Sequence, residues 1–155
     1  SPNGWNSVIG IVLNGSFYCS RAVGRHMIAR GGGGSIVSIL ATYAWTGSAG
    51  TIHSASAKAG VMAMTQTLAV EWAPKVRVNA VTAGMLETEL AHLHYGEGEA
   101  RARVAATVPL GRLGTPQDVA DACLFLASPL AAYVSGASLL VHGGGENPAF
   151  LAAAK

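Results

Sequence analysis

The chain has 155 residues, half of them hydrophobic and only 12% charged, which excludes a disordered segment and suits the buried surface of one domain. The net charge of +2 is weak, and no basic run is interleaved with aromatics, so nucleic-acid binding has no support. No apolar run reaches transmembrane length and no signal peptide is visible, so neither a membrane protein nor a secreted one is expected.

The charge is uneven: residues 1–75 sum to +4 and residues 76–155 to −2. Arg21, Arg25 and Arg30 account for much of the first figure and suit a solvated helix end. Cys19 and Cys123 stand alone in apolar stretches, without a metal-binding or Cys-x-x-Cys pattern. A reduced compartment, cytoplasm or organelle matrix, is the matching expectation. No metal site is expected.

In chain order, residues 4–30 read as a long helix, with Trp5, Val8, Val12, Phe17, Val23 and Met27 near helical spacing and a glycine run ending it. Residues 35–41 form a short apolar strand of the kind buried on both faces. Residues 42–53, rich in Gly, Thr and Ser, read as a loop. A second long helix is expected over 54–73, stopped by Pro74. Arg77 to Thr82 is a second apolar strand. Residues 84–113 are polar and punctuated by glycine, with two short helical tracts. Thr115-Pro116-Gln117-Asp118 opens a third helix, with Thr as N-cap and Pro at the first helical position. Ser138 to Val141 is a third strand.

Helix and strand alternate, as in a parallel, doubly wound sheet: an α/β fold of the Rossmann type. The Gly-rich turn between a first strand and helix, where backbone N–H groups meet a pyrophosphate, is absent from these residues. Gly31–Gly34 follows a helix, and Gly143–Gly145 opens none. The chain begins at Ser1-Pro2-Asn3 without Met. The expectation is a single partial domain, 1–155, equivalent to the C-terminal half of such a fold.

The chemistry concentrates at Tyr43, Ser54 and Lys58. Ser54 and Lys58, four residues apart, share a helix face, and a phenol near an ammonium is a proton-donor arrangement. Each residue also has a plainer role: Tyr43 as a loop aromatic, Ser54 as the helix N-cap, Lys58 as a solvated side chain. Asn14 in mid-helix is either a kink or a satisfied core amide. His53 has no orienting carboxylate in view and is a packed or solvated histidine.

These segments carry a resemblance. Asn14-Gly-Ser-Phe, Gly34-Ser-Ile-Val-Ser, Ser54-Ala-Ser-Ala-Lys58-Ala-Gly, Arg77-Val-Asn79, Gly111-Arg-Leu-Gly-Thr-Pro116 and the closing Gly143-Gly resemble the short-chain dehydrogenase/reductase family, over nearly the whole chain. Ser54 stands where the ordinary family has the tyrosine of Tyr-x-x-x-Lys, and Ala41 where it has a serine. With Tyr43-Ala-x-Thr-Gly-Ser, this pattern is similar to the 2,4-dienoyl-CoA reductases of that family.

The resemblance implies NADPH-dependent reduction of an acyl-CoA thioester, with NADH as the alternative cofactor. It implies catalytic roles for Tyr43 and Asn14 at the thioester oxygen, for Ser54 in their hydrogen-bond network, and for Lys58 at the nicotinamide ribose. Ala83-Gly84-Met85-Leu86-x-Thr88 is similar to the family's cofactor segment. Backbone near Gly84, Met85 and Leu86 would meet the nicotinamide amide, and Thr88 the amide or a phosphate, with a helix cap as its plainer role. Residues 86–108 would form a substrate lid; in it His92, His94, Arg101 and Arg103 lie near where CoA phosphates would pass, although a solvated surface explains them as well. The intact protein would be a homotetramer, with the second long helix at a subunit contact. A 3-oxoacyl thioester reductase and a non-catalytic fragment are the competing readings.

Overall fold

The computed structural model describes residues 1–145; residues 146–155, the end of the expected unit, lie outside the described residues. Three parallel strands, β1 (Gly34–Ala41), β2 (Val76–Ala83) and β3 (Ser138–Val141), pair in the order β1-β2-β3. The register runs Gly34↔Val76 to Ala41↔Ala83 and Ala80↔Ser138 to Ala83↔Val141, so the three strands end level with one another. The half-sheet expected from the sequence is the sheet observed.

The first long helix is continuous in path but not in type. α1 (Pro2–Val8) passes through a π-helical stretch, Ile9–Asn14, into α2 (Gly15–Ala29). Ser1 Oγ accepts a hydrogen bond from the Gly4 N–H at 3.3 Å and caps the start. The π stretch closes where the Gly15 N–H bonds the Gly10 carbonyl, five residues back. Leu13 in this stretch sits against Gly60 of α4 (Ile52–Glu71), where a Cβ would approach its Cδ1 to 2.8 Å. That missing side chain permits the close crossing of the two helices.

Helices cover both faces of the sheet. On one face Leu40, Val61 and Ala80 form a cluster with Leu13, Met62 and Met64, and beside it Ala69, Val76 and Val78 pack with Met27, Ile36 and Trp72. On the other face α7 (Pro116–Ala127) sets Val119 and Leu126 against Val81 and Ala83. Alternate β2 residues thus serve opposite layers. Residues β2 must bury yet cannot leave unpaired are satisfied. Asn79 Nδ2 donates to the Val134 carbonyl at 2.8 Å while its Oδ1 accepts from the Ala137 N–H at 3.0 Å. The Thr82 and Ser138 hydroxyls pair at 2.6 Å. Arg77 reaches the end of α7 and donates to the carbonyls of Leu126 at 2.7 Å and Ser128 at 3.1 Å.

α7 starts as its sequence predicts. Thr115 Oγ1 accepts from the Asp118 N–H and Asp118 Oδ2 accepts from the Thr115 N–H, a reciprocal capping box. Between β2 and α7 lie two short helices, α5 (His92–Tyr95) and α6 (Glu99–Thr107), neither with a buried residue.

The packing carries a direct test. Leu40 is 1% exposed at the centre of its cluster, whereas Leu130 is 84% exposed. Leu40→Ala should cost about 2–5 kcal/mol of unfolding free energy in chemical denaturation, and Leu130→Ala less than about 0.5 kcal/mol.

Candidate active site

The level strand ends make a crevice at the carboxyl edge of the sheet, the position where open α/β sheets take ligands. The segment after β1 is not the uninterrupted loop expected over 42–53. Tyr43–Thr46 forms one helical turn, α3, closed by Gly47 at φ 72°. Thr46 Oγ1 bonds the Thr42 carbonyl at 3.2 Å and tightens that turn. α4 begins at Ile52, two residues before the expected start at Ser54.

That shift decides what Ser54 does. It lies inside the first turn of α4 rather than capping it, and its hydroxyl pairs with the Tyr43 hydroxyl at 3.1 Å. The Ser54 N–H, one of the helix's orphan donors, goes to His53 Nδ1 at 2.7 Å. His53 is therefore a local cap, with Nδ1 as acceptor, and the three residues form one small polar chain. One turn on, Lys58 is half-buried. Its Nζ donates to the Ile39 carbonyl of the edge strand β1 at 2.7 Å. Burial pushes its pKa below the ordinary lysine value.

Tyr43, Ser54 and Lys58 thus gather where α3, α4 and β1 meet. Asn14 is not hydrogen-bonded to them. It ends the π stretch, is exposed, and makes no side-chain hydrogen bond among the described residues.

After β2, Gly84 and Met85 line a cavity of 360 Å³ together with Thr42, Trp45, Gly47 and His142. Gly84 is required by packing: a Cβ there would stand 2.6 Å from His142 Cβ and 2.9 Å from its Cα. Next, Leu86 forms a parallel bridge with Gly114, in which the Gly114 N–H bonds the Met85 carbonyl at 2.9 Å and the Glu87 N–H bonds the Gly114 carbonyl at 2.7 Å. The geometry of a parallel bridge turns Leu86's own N–H and C=O to the opposite side, and neither is hydrogen-bonded among the described residues. The Leu86 side chain packs into the core beneath α7. Thr88 is exposed, does not line the cavity, and its hydroxyl caps no helix among the described residues.

The sequence reading did not assign Thr42, Trp45 or Gly47 to this crevice, and it gave His142 no chemistry. The available signal was position alone: Thr42 and His142 directly follow β1 and β3. No cluster of His, Cys, Asp and Glu able to hold a metal occurs among the described residues. Among them, no helix is long and apolar enough to cross a membrane.

Gly114 is itself held by a clamp. Arg112 grips Asp118 with both terminal nitrogens, at 2.8 and 2.9 Å, and Asp118 also accepts from the Thr115 N–H at 2.6 Å. Arg112 first, then Thr115, hold the Asp118 carboxyl well below the usual carboxylate range.

A sheet of this topology, with segments after each strand lining a crevice at its carboxyl edge, defines a Rossmann-type α/β fold. The family profile described as enoyl-(acyl carrier protein) reductase matches residues 1–146. The chain belongs to the short-chain dehydrogenase/reductase family. It is 48% identical over 147 residues to a probable 2,4-dienoyl-CoA reductase of Bacillus subtilis, covering 93% of this chain and 58% of that protein. To the 3-oxoacyl-[acyl-carrier-protein] reductase of Chlamydia pneumoniae it is 41% identical, over 93% of this chain and 57% of that one. Among solved structures, a short-chain dehydrogenase from Bacillus anthracis superposes with a TM-score of 0.81 at 50% identity, over 93% of this chain and 56% of the other. A gluconate 5-dehydrogenase of Burkholderia cenocepacia in complex with NADP and tartrate gives 0.84 at 31% identity, over 93% and 56%. The chain therefore spans a little over half the length of these four relatives.

The clamp predicts an acid-side effect. A depressed folded-state pKa stabilises above the unfolded value and loses that contribution as pH falls. The stability difference between the parent and Asp118→Asn should be complete at neutral pH and shrink below the ordinary value of 3.8. Urea midpoints measured from pH 7 down to pH 3 check this; a constant difference would show that the carboxylate charge is idle.

Proposed function

We propose that this chain supplies the catalytic half of an NADPH-dependent reductase of 2,4-dienoyl-CoA thioesters, the other half carrying the pyrophosphate-binding turn. The observation that carries this reading is the Tyr43–Ser54 hydroxyl pair at 3.1 Å, one helical turn from Lys58. In it a serine occupies the usual helical tyrosine position and the phenol arrives from the preceding segment. Ala41, where the common family members have a serine, removes the other group an alcohol dehydrogenase would use. The Bacillus subtilis relative supports the same substrate class.

The residues present fit the nicotinamide end of a dinucleotide. The unpaired N–H and C=O of Leu86 match the acceptor and donor of a carboxamide, and Gly84 and Met85 line the adjoining cavity. Lys58 stands ready for the ribose hydroxyls. When bound, the cofactor supplies hydride to the far end of the conjugated diene. Negative charge then develops on the thioester oxygen, and the Tyr43 hydroxyl, oriented by Ser54, donates a hydrogen bond to it, with the Asn14 amide as the second donor. Tyr43 or water supplies the proton to carbon, which balances the two-electron reduction. Thr88, exposed beyond the cavity, would contribute through a phosphate. Ile52 and Val70, exposed at 71% and 81% on α4, support assembly of the intact protein into a homotetramer through that helix.

The substrate reading is tested on the full-length protein by NADPH oxidation with a 2,4-dienoyl-CoA against a 3-oxoacyl-CoA. Preference for the 3-oxoacyl thioester would favour the chemistry named for the Chlamydia relative. Absence of tryptophan quenching by NADPH would make the chain non-catalytic. Tyr43→Phe should lower kcat about 10²- to 10³-fold, the effect of losing one oxyanion donor, while NADPH binding holds. Near-normal turnover would remove Tyr43 from the mechanism.

A further inference from the structure

We infer that the Glu87–Arg101 ion pair is a latch that positions the α5–α6 segment against the cofactor-facing strand end, so that Arg101 is a positioning residue for substrate capture. The inference rests on the reading above for the identity of the substrate, but not for the existence of the latch.

Residues 92–107 are held at their ends by apolar anchors. Ala91 is 1% exposed and Val108 4%, and the Leu110 N–H bonds the Gly143 carbonyl at 3.1 Å. Between those anchors neither α5 nor α6 buries a residue. A polar tie across the gap is Arg101. Its Nη1 lies 2.6 Å from Glu87 Oε1, and its Nε donates to the Gly96 carbonyl at 3.2 Å, at the turn after α5. One guanidinium therefore joins α6, the turn between the short helices, and the segment after β2. The other charged pair of α6, Arg103–Glu99 at 3.7 Å, stays within the helix and ties it to nothing.

Glu87 is the right place for such a tie. Its N–H is fixed to Gly114, which Arg112 and Asp118 hold in turn. Its neighbour Leu86 presents the free backbone groups. The lid is thereby referenced to the residue adjoining the ligand-facing main chain, not to the core. The pair is part-exposed, at 32% and 41% of its side chains, and such pairs hold weakly. Both side chains also line a 710 Å³ hollow, with Gly98, Ala102, Ala105 and Leu113, which leaves open space beside α6. A latch of this strength closes the lid most of the time and releases it readily, as turnover of a bulky substrate requires.

The test is made on the full-length enzyme with Arg101→Gln and with the charge-reversed double variant Glu87→Arg/Arg101→Glu. Amide hydrogen exchange in residues 99–107 should quicken roughly three- to fivefold in Arg101→Gln, the range set by one exposed ion pair. The KM for the acyl thioester that turns over should rise by a similar factor, while kcat and the NADPH dissociation constant change less than about twofold. The double variant should return both readouts toward the parent. Unchanged exchange in 99–107, a parallel loss of NADPH affinity, or no rescue by the reversed pair would each overturn the latch. The exchange measurement needs no substrate, so failure of the dienoyl reading shows in the assay and leaves the latch to be judged on exchange.

Discussion

Everything in this half-sheet hangs on β2 being buried from both sides. A central parallel strand has no solvent to turn to, so each polar group it carries must be matched. Asn79, Thr82 and Arg77 meet that demand by binding the segment before β3, β3 itself and the end of α7. The same bonds set the height of β3 and α7 relative to β1. That is why the three strands finish level, and why residues distant in sequence, Thr42, Gly84 and His142, line one cavity.

The site has a stiff half and a soft half. Tyr43, Ser54 and Lys58 sit on α3 and α4; α3 packs on α4, which packs on β1 and on the π stretch through the Gly60–Leu13 crossing. Lys58 keeps its ammonium against a backbone carbonyl in a half-buried position, at some cost to its charge. The α5–α6 segment buries nothing of its own.

Much of this was legible in the sequence, for identifiable reasons. The strands announced themselves because apolar runs bounded by glycine or polar residues have few other uses. The start of α7 was legible because the Thr115-Pro116-Asp118 box is a local interaction, complete within four residues. The π stretch was not, since it depends on Leu13 meeting Gly60 across the fold. The α3 turn and the earlier start of α4 escaped for a similar reason: a single helical turn is set by what it packs on, not by periodicity. Tyr43 and Ser54 could be singled out by residue type and spacing. The partner of Lys58 could not, because a main-chain carbonyl leaves no mark on the sequence. Arg101 read as solvated by composition, yet it is tied to Glu87.

Leu86 has one more consequence. Its side chain answers to the core beneath α7, while its main-chain N–H and C=O make no hydrogen bond among the described residues. Recognition written in peptide groups is blind to genetic change at that codon, so long as the replacement still fills the space below. Drift at this position can therefore retune packing while its main-chain groups stay the same.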